Sequence, residues 1–156
     1  MYRIHPHRRC RPRQSHQIGH HRGHHWRKLF RGDSQSVTVN IETSGIRFDI
    51  DTAIPLGLIV NELVSNAYKY AFEAYQGGKI NITIKANSDT DYELKITNDG
   101  KPLPADFDPK QSKSLGLKLV SILSRQLRGR LSSFSDDGIT SFQVDFKDLK
   151  AWQAAQ

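Results

Sequence analysis

The segment IVNELVSNAYKYAF, at residues 59–72, constrains the fold of this chain more than any other part of its sequence. Glu62, Asn66 and Lys69 recur at helical spacing and therefore share one face of a predicted helix. The apolar residues that stack beside this face are Ile59, Leu63, Ala67 and Ala71, with Leu58 and Val64 widening the predicted buried surface. A polar stripe along a buried helix indicates a ligand site.

The three polar side chains of this stripe have complementary chemistry. Glu62 is an acceptor that can orient water, Asn66 offers a carboxamide oxygen to a hard cation, and Lys69 brings an ammonium group. Together they suit a polyphosphate bound to magnesium. The alternative is a surface helix with a solvated polar face, which the many apolar residues and two motifs downstream disfavour. The chain has no G-x-x-x-x-G-K-[ST] segment, which excludes a P-loop mechanism.

The positive charge of the chain is concentrated near its N-terminus. The 156 residues, enough for one domain, have a net charge of +7, but residues 1–32 contain all seven His, nine Arg or Lys and no acidic residue. The remainder is mildly acidic, which argues against nucleic acid as a partner. No apolar run is long enough for a membrane helix or a signal peptide, and the single Cys10 excludes an internal disulfide. We therefore expect a cytoplasmic protein.

Residues 1–35 form a basic tail without apolar periodicity, and we expect most of it to be disordered. The pairs His20/His24 and His21/His25 leave open the capture of Ni²⁺ or Zn²⁺ on a helix. The basic residues leave open a nucleic-acid-binding arm. A further hypothesis is that the tail's composition comes from a shifted reading frame in GC-rich DNA.

Alternating apolar and polar residues predict six strands in three pairs. The first pair is joined by a turn at residues 44–45, the second by residues 87–91, and the third by residues 136–138, where an Asp-Gly pair favours a tight hairpin. The predicted strands are residues 36–42, 46–50, 79–86, 92–98, 130–135 and 140–146.

Two helices are predicted between these pairs. The first starts near Thr52, with Asp51 or Thr52 as its N-cap and Pro55 in its first turn, and ends at residues 76–78. The second covers residues 114–129, where the residues at helical spacing are Leu117, Val120, Leu123 or Ser124, and Leu127.

Residues 100–113 hold three prolines and no period, which is typical of a long functional loop or lid. The order of elements is two strands, a helix, two strands, this loop, a helix and two strands. That order predicts a two-layer α/β sandwich, in which one sheet is covered on one face by helices.

The run N-E-L-V-S-N-A-Y-K-Y-A-F, at residues 61–72, resembles the N box of the ATP-binding domain of sensor histidine kinases. That superfamily also contains DNA gyrase, heat-shock chaperones and mismatch-repair ATPases, and the N-A-x-K-Y-A-F ending is similar to kinases with a second-type, HWE-related dimerisation domain. The resemblance covers about residues 37–146 and implies a domain at residues 36–150 with the Bergerat, or histidine-kinase-like ATPase, fold. This fold has a mixed, mostly antiparallel sheet. The family usually has a further helix before its first strand, so either residues 16–30 make a poor helix or part of the sheet lacks a cover.

Two later motifs resemble the G1 and G2 boxes of the same family. Residues 98–100, Asn-Asp-Gly, resemble the G1 pattern D-x-G-x-G, with Asn98 at the base-reading position, Pro102 in place of the second glycine, and Asp99 as an alternative reader through water. An ordinary turn is the competing interpretation. Residues 114–117, S-L-G-L, resemble the G2 pattern G-L-G-L, whose backbone N–H groups and helix N-terminus would hold phosphate.

The resemblance implies binding of ATP and Mg²⁺ and phosphoryl transfer. Glu62 would be the catalytic residue that orients the nucleophile, Asn66 the Mg²⁺ ligand, and Lys69 a partner of the phosphates. Thr140 would lie near the adenine, although an ordinary strand threonine is an equal alternative. The nucleotide-binding residues that the resemblance implies are Asn61, Glu62, Asn66, Lys69, Asn98, Asp99, Gly100, Leu103, Ser114, Leu115, Gly116, Leu117 and Thr140.

A histidine kinase of this type presents its phosphoacceptor in an H-R-x-K-N motif, which this sequence lacks. We therefore expect the acceptor histidine on a dimerisation domain from another chain or from a lost N-terminal part, with a response regulator as a further partner. One alternative keeps the fold and makes the chain a stand-alone serine kinase of the anti-sigma-factor type. Another is a non-enzymatic metal- or nucleic-acid-binding protein that uses the basic tail.

Overall fold

The computed structural model describes residues 37–43, 45–72, 77–104 and 106–155. The predictions made for the basic tail and for a helix before the first strand lie outside these ranges. None of the helices that the structure describes is long and apolar enough to span a membrane. The elements are β1 (Val37–Thr43), α1 (Ile50–Tyr70), β2 (Gly78–Ala86), β3 (Asp91–Asn98), α2 (Leu115–Gln126), β4 (Arg130–Asp136), β5 (Ile139–Lys147) and α3 (Leu149–Ala154).

The strands form one sheet in the order β1-β2-β3-β5-β4. β1 pairs with β2 in parallel, and every other neighbouring pair is antiparallel. The parallel pair exists because α1 crosses over between its two strands, whereas short turns join the antiparallel hairpins. The prediction of a mixed, mostly antiparallel sheet is confirmed.

The prediction of a strand at residues 46–50 is wrong. Residues 46–49 form no strand, and Ile50 already begins α1. Phe48 nevertheless lies against two rings of the sheet, 4.9 Å from Tyr92 and 5.5 Å from Phe146 between centroids. Phe48 contributes to the alternating pattern because its side chain packs on the core, although its backbone does not pair with a strand.

The start of α1 also differs from its prediction. The helix begins at Ile50 with Asp49 as its N-cap, so Asp51 and Thr52 lie inside the first turn. Pro55 consequently falls beyond that turn, where it is buried. Asp49, Asp51 and Thr52 can each cap a helix, and local chemistry alone does not choose between them.

The core lies between the helices and one face of the sheet. Ile59 and Leu63 of α1 are 0% and 1% exposed, and the residues predicted to be buried in and after α2 are all buried: Leu117, Val120, Leu123, Ser124 and Leu127. The prediction for Leu58 is wrong, because this residue is 45% exposed on the outer side of α1. Ile50 and Ile54 share that exposed side at helical spacing.

The hairpin between β4 and β5 has the predicted tight turn. Asp137 and Gly138 both have positive φ angles, 45° and 77°, as a two-residue type I′ turn requires. Asp136 and Ile139 pair across it. This turn fixes the register of β5 and therefore the position of Thr140 in the sheet.

The short helix α3 was not predicted. Asp148 caps it and accepts hydrogen bonds from two backbone N–H groups of the first turn, at 3.0 and 3.3 Å. The Thr52 hydroxyl accepts from the N–H of Leu149 at 3.0 Å, and the Arg128 guanidinium lies 3.8 Å from the ring centre of Trp152. These tertiary contacts hold a helix that is too short to show a hydrophobic period.

Candidate nucleotide site

The polar face of α1 is arranged as its spacing predicts. Glu62, Asn66 and Lys69 lie within an arc of about 60° around the helix axis. Glu62 and Asn66 are half-buried and Lys69 is exposed. Asn61 is also exposed and lies outside this arc, about 100° from Glu62. The Nδ2 atom of Asn66 is buried and has no hydrogen-bond partner among the residues that the structure describes.

The Glu62 side chain reaches the first turn of α2. Its Oε2 atom lies 2.5 Å from the position that a Cβ atom would take on Gly116, and the Ser114 hydroxyl lies 3.8 Å from the same position. The missing side chain of Gly116 therefore leaves the room that the carboxylate occupies. The structure brings the predicted catalytic residue and the S-L-G-L motif together.

The N-terminus of α2 offers backbone donors at this place. Ser114 is the N-cap, yet its side chain makes no capping hydrogen bond. The first N–H groups of a helix have no acceptor within the helix, and the positive end of the helix dipole lies with them. Leu115 is 82% exposed and Leu117 is 5% exposed in the core, so these two leucines can contribute only backbone N–H groups.

The turn after β3 packs against the C-terminal end of α1. Gly100 touches the backbone of Ala71, where a Cβ atom on Gly100 would overlap the carbonyl group. The N–H of Lys101 donates to the Ala71 oxygen at 2.7 Å. α1 ends at Tyr70, before the predicted glycines of residues 76–78. This role of Ala71 was not predicted from the sequence, although the glycine at position 100 is a signal of such a close approach.

The adjacent residues Asn98 and Asp99 have different environments. Asn98 is 4% exposed, and its Nδ2 atom has no hydrogen-bond partner within the described ranges. Asp99 is exposed, and its Oδ1 atom accepts from the N–H of Lys79 at 2.6 Å. Asp99 thus joins the ends of two strands, whereas the Asn98 carboxamide retains an uncommitted donor.

Thr140 lies directly opposite Asn98 in the β3–β5 ladder. Residues directly opposite each other in an antiparallel pair share one face of the sheet. Here it is the face below the helices, because Thr140 is 3% exposed and Ile80, the partner of Asn98 in β2, is 0% exposed. The hydroxyl oxygens of Thr140 and Ser135 are 3.5 Å apart. Thr140 and Asn98 are therefore neighbours between the sheet and the helices.

The proline-rich loop is held to the core by apolar side chains. Leu103 and Phe107 pack against the core, and the ring centroids of Phe107 and Phe142 are 6.3 Å apart. Asp108 accepts from the N–H of Lys110 at 2.9 Å, and this hydrogen bond lowers the pKa of the Asp108 carboxyl. Because Leu103 packs against the core, it could contact a ligand only through its apolar side chain, together with Phe107.

The described residues include oxygen ligands for a cation, but they do not form a complete metal site by themselves. No group of three or more His, Cys, Asp and Glu side chains within them could hold a metal ion. Mg²⁺ commonly takes one or two side-chain oxygens and completes its shell with substrate phosphates and water. Asn66 fits such a site, because its amide nitrogen has no described partner and the residue lies on the same face of α1 as Glu62.

Comparison with known proteins identifies a family and similar proteins. Residues 51–150 match the family described as histidine kinase-, DNA gyrase B-, and HSP90-like ATPase. The chain is 26% identical over 97 residues to blue-light-activated histidine kinase 2 of Erythrobacter litoralis, covering 62% of this chain and 28% of that protein. It is 36% identical over 87 residues to the sensor histidine kinase PdtaS of Mycolicibacterium smegmatis, covering 53% of this chain and 17% of that protein. The chain thus spans less than a third of these relatives.

Solved structures show the same fold. The histidine kinase domain of a blue-light-activated histidine kinase from Erythrobacter litoralis has a TM-score of 0.63 and 25% identity, covering 69% of this chain and 53% of that one. The histidine kinase AdeS of Acinetobacter baumannii has a TM-score of 0.61 at 18% identity, covering 74% of this chain and 56% of that one, a likeness of fold alone. The predicted α/β fold is confirmed. Since the family match includes more than half of its residues, the chain belongs to the histidine kinase-, DNA gyrase B- and HSP90-like ATPase family.

Proposed function

We propose that this chain carries the catalytic domain of a two-component sensor histidine kinase, which binds Mg²⁺-ATP and transfers the γ-phosphate to a histidine on a dimerisation domain. One observation carries the proposal: α1 and its C-cap residue contact both glycine motifs. Glu62 lies at Gly116, and Ala71 lies at Gly100. A single rigid helix thereby sets the distance between the two ends of one site.

The spacing of these contacts suits a nucleotide. Glu62 and Ala71 are separated by about 13 Å along the helix axis. A nucleoside triphosphate must be held over a comparable length from its base to its terminal phosphate. We assign the base end to the region beside Asn98 and Thr140, which are buried on the sheet face below the helices. The phosphate end then lies at the N-terminus of α2.

The side chains at the phosphate end divide the work of phosphoryl transfer. Glu62 accepts a hydrogen bond from the attacking imidazole and so orients it. The N–H groups at Gly116 and its neighbours hold phosphate oxygens. Lys69 lies about 10 Å along α1 from Glu62, and its long side chain leans toward the helix N-terminus and brings a positive charge toward the same phosphates. Because positioning and electrostatics provide most of the catalysis in such reactions, a rigid placement of these groups is the main requirement.

Magnesium belongs to the same proposal. Asn66 is the residue that would hold it, through the carboxamide oxygen, together with phosphate oxygens and water. A bound Mg²⁺ would neutralise charge on the transferring phosphate. The support is the half-buried position of Asn66 and its amide nitrogen without a described partner.

The partners follow from the class of enzyme. The matched relatives are named as histidine kinases, and we propose a second-type, HWE-related dimerisation domain as phosphate acceptor and a response regulator as its recipient. We propose a cytoplasmic site of action, where ATP and response regulators are found. The catalytic domain is proposed to cover residues 36–150, which include the contact between Thr52 and Leu149 at the start of α3.

A chimera tests the kinase activity directly. Residues 37–155 would replace the matching region of the histidine kinase domain from Erythrobacter litoralis, which supplies a dimerisation domain in the correct position. With radiolabelled ATP and Mg²⁺, we expect an acid-labile label, as phosphohistidine gives. The same chimera with Asn66→Ala should lose the label, and one with Asn87→Ala, changed in the exposed β2–β3 turn, should keep it.

Three results would contradict the proposal or part of it. A folded chimera that binds ATP but gains no label would leave a nucleotide-binding domain without histidine kinase activity. An acid-stable label on serine would favour the serine-kinase alternative. A label that persists in the Asn66→Ala chimera would show that Asn66 is not the required magnesium ligand.

A further inference from the structure

Asn98 combines burial with an unused hydrogen-bond donor. It is 4% exposed, and its Nδ2 atom has no partner among the described residues. It lies on the helix-facing side of the sheet, between Ile80 in β2 and Thr140 in β5. Buried polar groups are normally paired, so an unpaired N–H at this position requires an explanation.

The polar neighbours of Asn98 are occupied with other partners. The carboxylate of Asp99 accepts from the N–H of Lys79 at 2.6 Å. The Thr140 hydroxyl lies 3.5 Å from that of Ser135. Among the described residues none accepts from the Asn98 amide, and a ligand or water beside it would supply the acceptor.

A carboxamide and a carboxylate recognise purines differently. An ionised carboxylate only accepts hydrogen bonds, so one facing position 6 of a purine accepts from the amine of adenine and repels a carbonyl oxygen. A carboxamide accepts through Oδ1 and donates through Nδ2. It can pair with the amine and N1 of adenine, and after a half-turn of the amide it can pair with the carbonyl oxygen and N1–H of a 6-oxopurine.

We propose that Asn98 makes the base pocket accept 6-oxopurine nucleotides as well as adenine nucleotides. This inference depends on the proposed nucleotide site and adds a substrate class to it. The free Nδ2–H donates to the carbonyl oxygen of hypoxanthine or guanine, and Oδ1 accepts from the N1–H of the same base. An aspartate at position 98 would keep the acceptor and lose the donor.

Inosine diphosphate is the sharpest probe, because hypoxanthine differs from adenine only at position 6 and at the N1 proton. Calorimetry with ADP and inosine diphosphate, in the presence of Mg²⁺, would compare the wild-type chain with Asn98→Asp. The wild type should bind the two nucleotides within about tenfold of each other. Asn98→Asp should raise the preference for ADP by about tenfold or more, mainly by weakening inosine diphosphate.

The control is Asn87→Asp, which makes the same change in the exposed β2–β3 turn and should leave the preference unchanged. If Asn98→Asp does not fold, Asn98→Ala replaces it and should weaken both nucleotides by similar factors. A wild type that binds ADP about a hundredfold tighter than inosine diphosphate overturns the inference and leaves the nucleotide site intact. A folded wild type that binds neither overturns the proposed function as well.

Discussion

The Glu62 carboxylate lies against the backbone of Gly116, with Oε2 2.5 Å from the position that a Cβ atom would take there. This contact joins the polar face of α1 to the N-terminus of α2. The atom that Gly116 makes room for is the far end of a flexible side chain, which could move away from a larger residue. The glycine is therefore needed to place the carboxylate and not to let the helices pack.

Gly116→Ala should separate stability from activity. The new methyl group would displace the Glu62 carboxylate, so we expect phosphoryl transfer in the chimera to fall by at least about tenfold. The free energy of unfolding should change by less than about 1 kcal/mol, because only one flexible side chain has to move. Transfer assays and urea denaturation of the same sample measure the two quantities.

The matched control for this change is Gly57→Ala. Gly57 is exposed in α1, and nothing lies within 4 Å of a Cβ atom placed on it. Alanine there should stabilise the chain by about 0.5–1 kcal/mol and leave transfer unaffected. A Glu62→Gln/Gly116→Ala double variant should be no slower than Glu62→Gln alone. Full activity of Gly116→Ala would disprove the positioning role.

Gly100→Ala should behave in the opposite way. Its Cβ atom would meet the backbone of Ala71, which cannot move without shifting the end of α1. We expect a loss of about 1–3 kcal/mol in the free energy of unfolding, together with weaker binding of nucleotide. Denaturation and calorimetry measure these effects. An alanine variant as stable as the wild type would show that the turn does not pack on α1 as described.

The two sides of α1 should respond differently to one substitution. Leu63 is 1% exposed and Leu58 is 45% exposed on the same helix. Leu63→Ala should cost about 2–5 kcal/mol, because it removes packed methyl groups and leaves a cavity. Leu58→Ala should cost less than about 1 kcal/mol. Equal losses in denaturation experiments would contradict the orientation of the helix.

Acid should remove the contribution of one ion pair. Hydrogen bonds from Lys147, then from Ser88 and Thr90, lower the pKa of Asp91 from 3.8 to about 2. Because the pKa is lower in the folded state, the stabilisation is complete above about pH 4 and is lost as the pH falls toward about 2. The difference in denaturation midpoint between the wild type and Asp91→Asn should shrink across that window. A difference that stays constant down to about pH 2 would refute this assignment.

The long elements with a clear hydrophobic period were predictable from the sequence, and the pairing between distant strands was not. The buried residues of α2 follow from helical spacing, and the turn at Asp137-Gly138 follows from the positive φ angles that this pair tolerates. The parallel pairing of β1 with β2 was not specified by the predicted pairs. Because β1 and β2 are parallel, the chain must cross over between them, and residues 46–49 form part of this connection to α1 instead of a strand.

In the candidate site, too, local spacing was predictable and contacts between distant segments were not. The shared face of Glu62 and Asn66 follows from their spacing alone. The contact between Glu62 and Gly116 joins segments far apart in the chain, and only the motif resemblance pointed to it. Asn98, and not Asp99, faces the helices because the alternation of β3 places Asn98 on the same face as Leu94 and Ile96.

We propose that the polar face of α1 and the two glycine motifs form one magnesium-nucleotide site. Its most direct test is a calorimetric titration of the wild-type chain, Asn66→Ala and Asn87→Ala with ADP, each with and without Mg²⁺. The exposed Asn87 serves as the matched control.

We expect the wild type and Asn87→Ala to bind ADP more tightly when Mg²⁺ is present. Asn66→Ala should bind at least about tenfold more weakly under that condition and should respond little to the cation. A folded wild type that does not bind ADP, or an Asn66→Ala variant with the affinity and magnesium dependence of the wild type, would contradict the account.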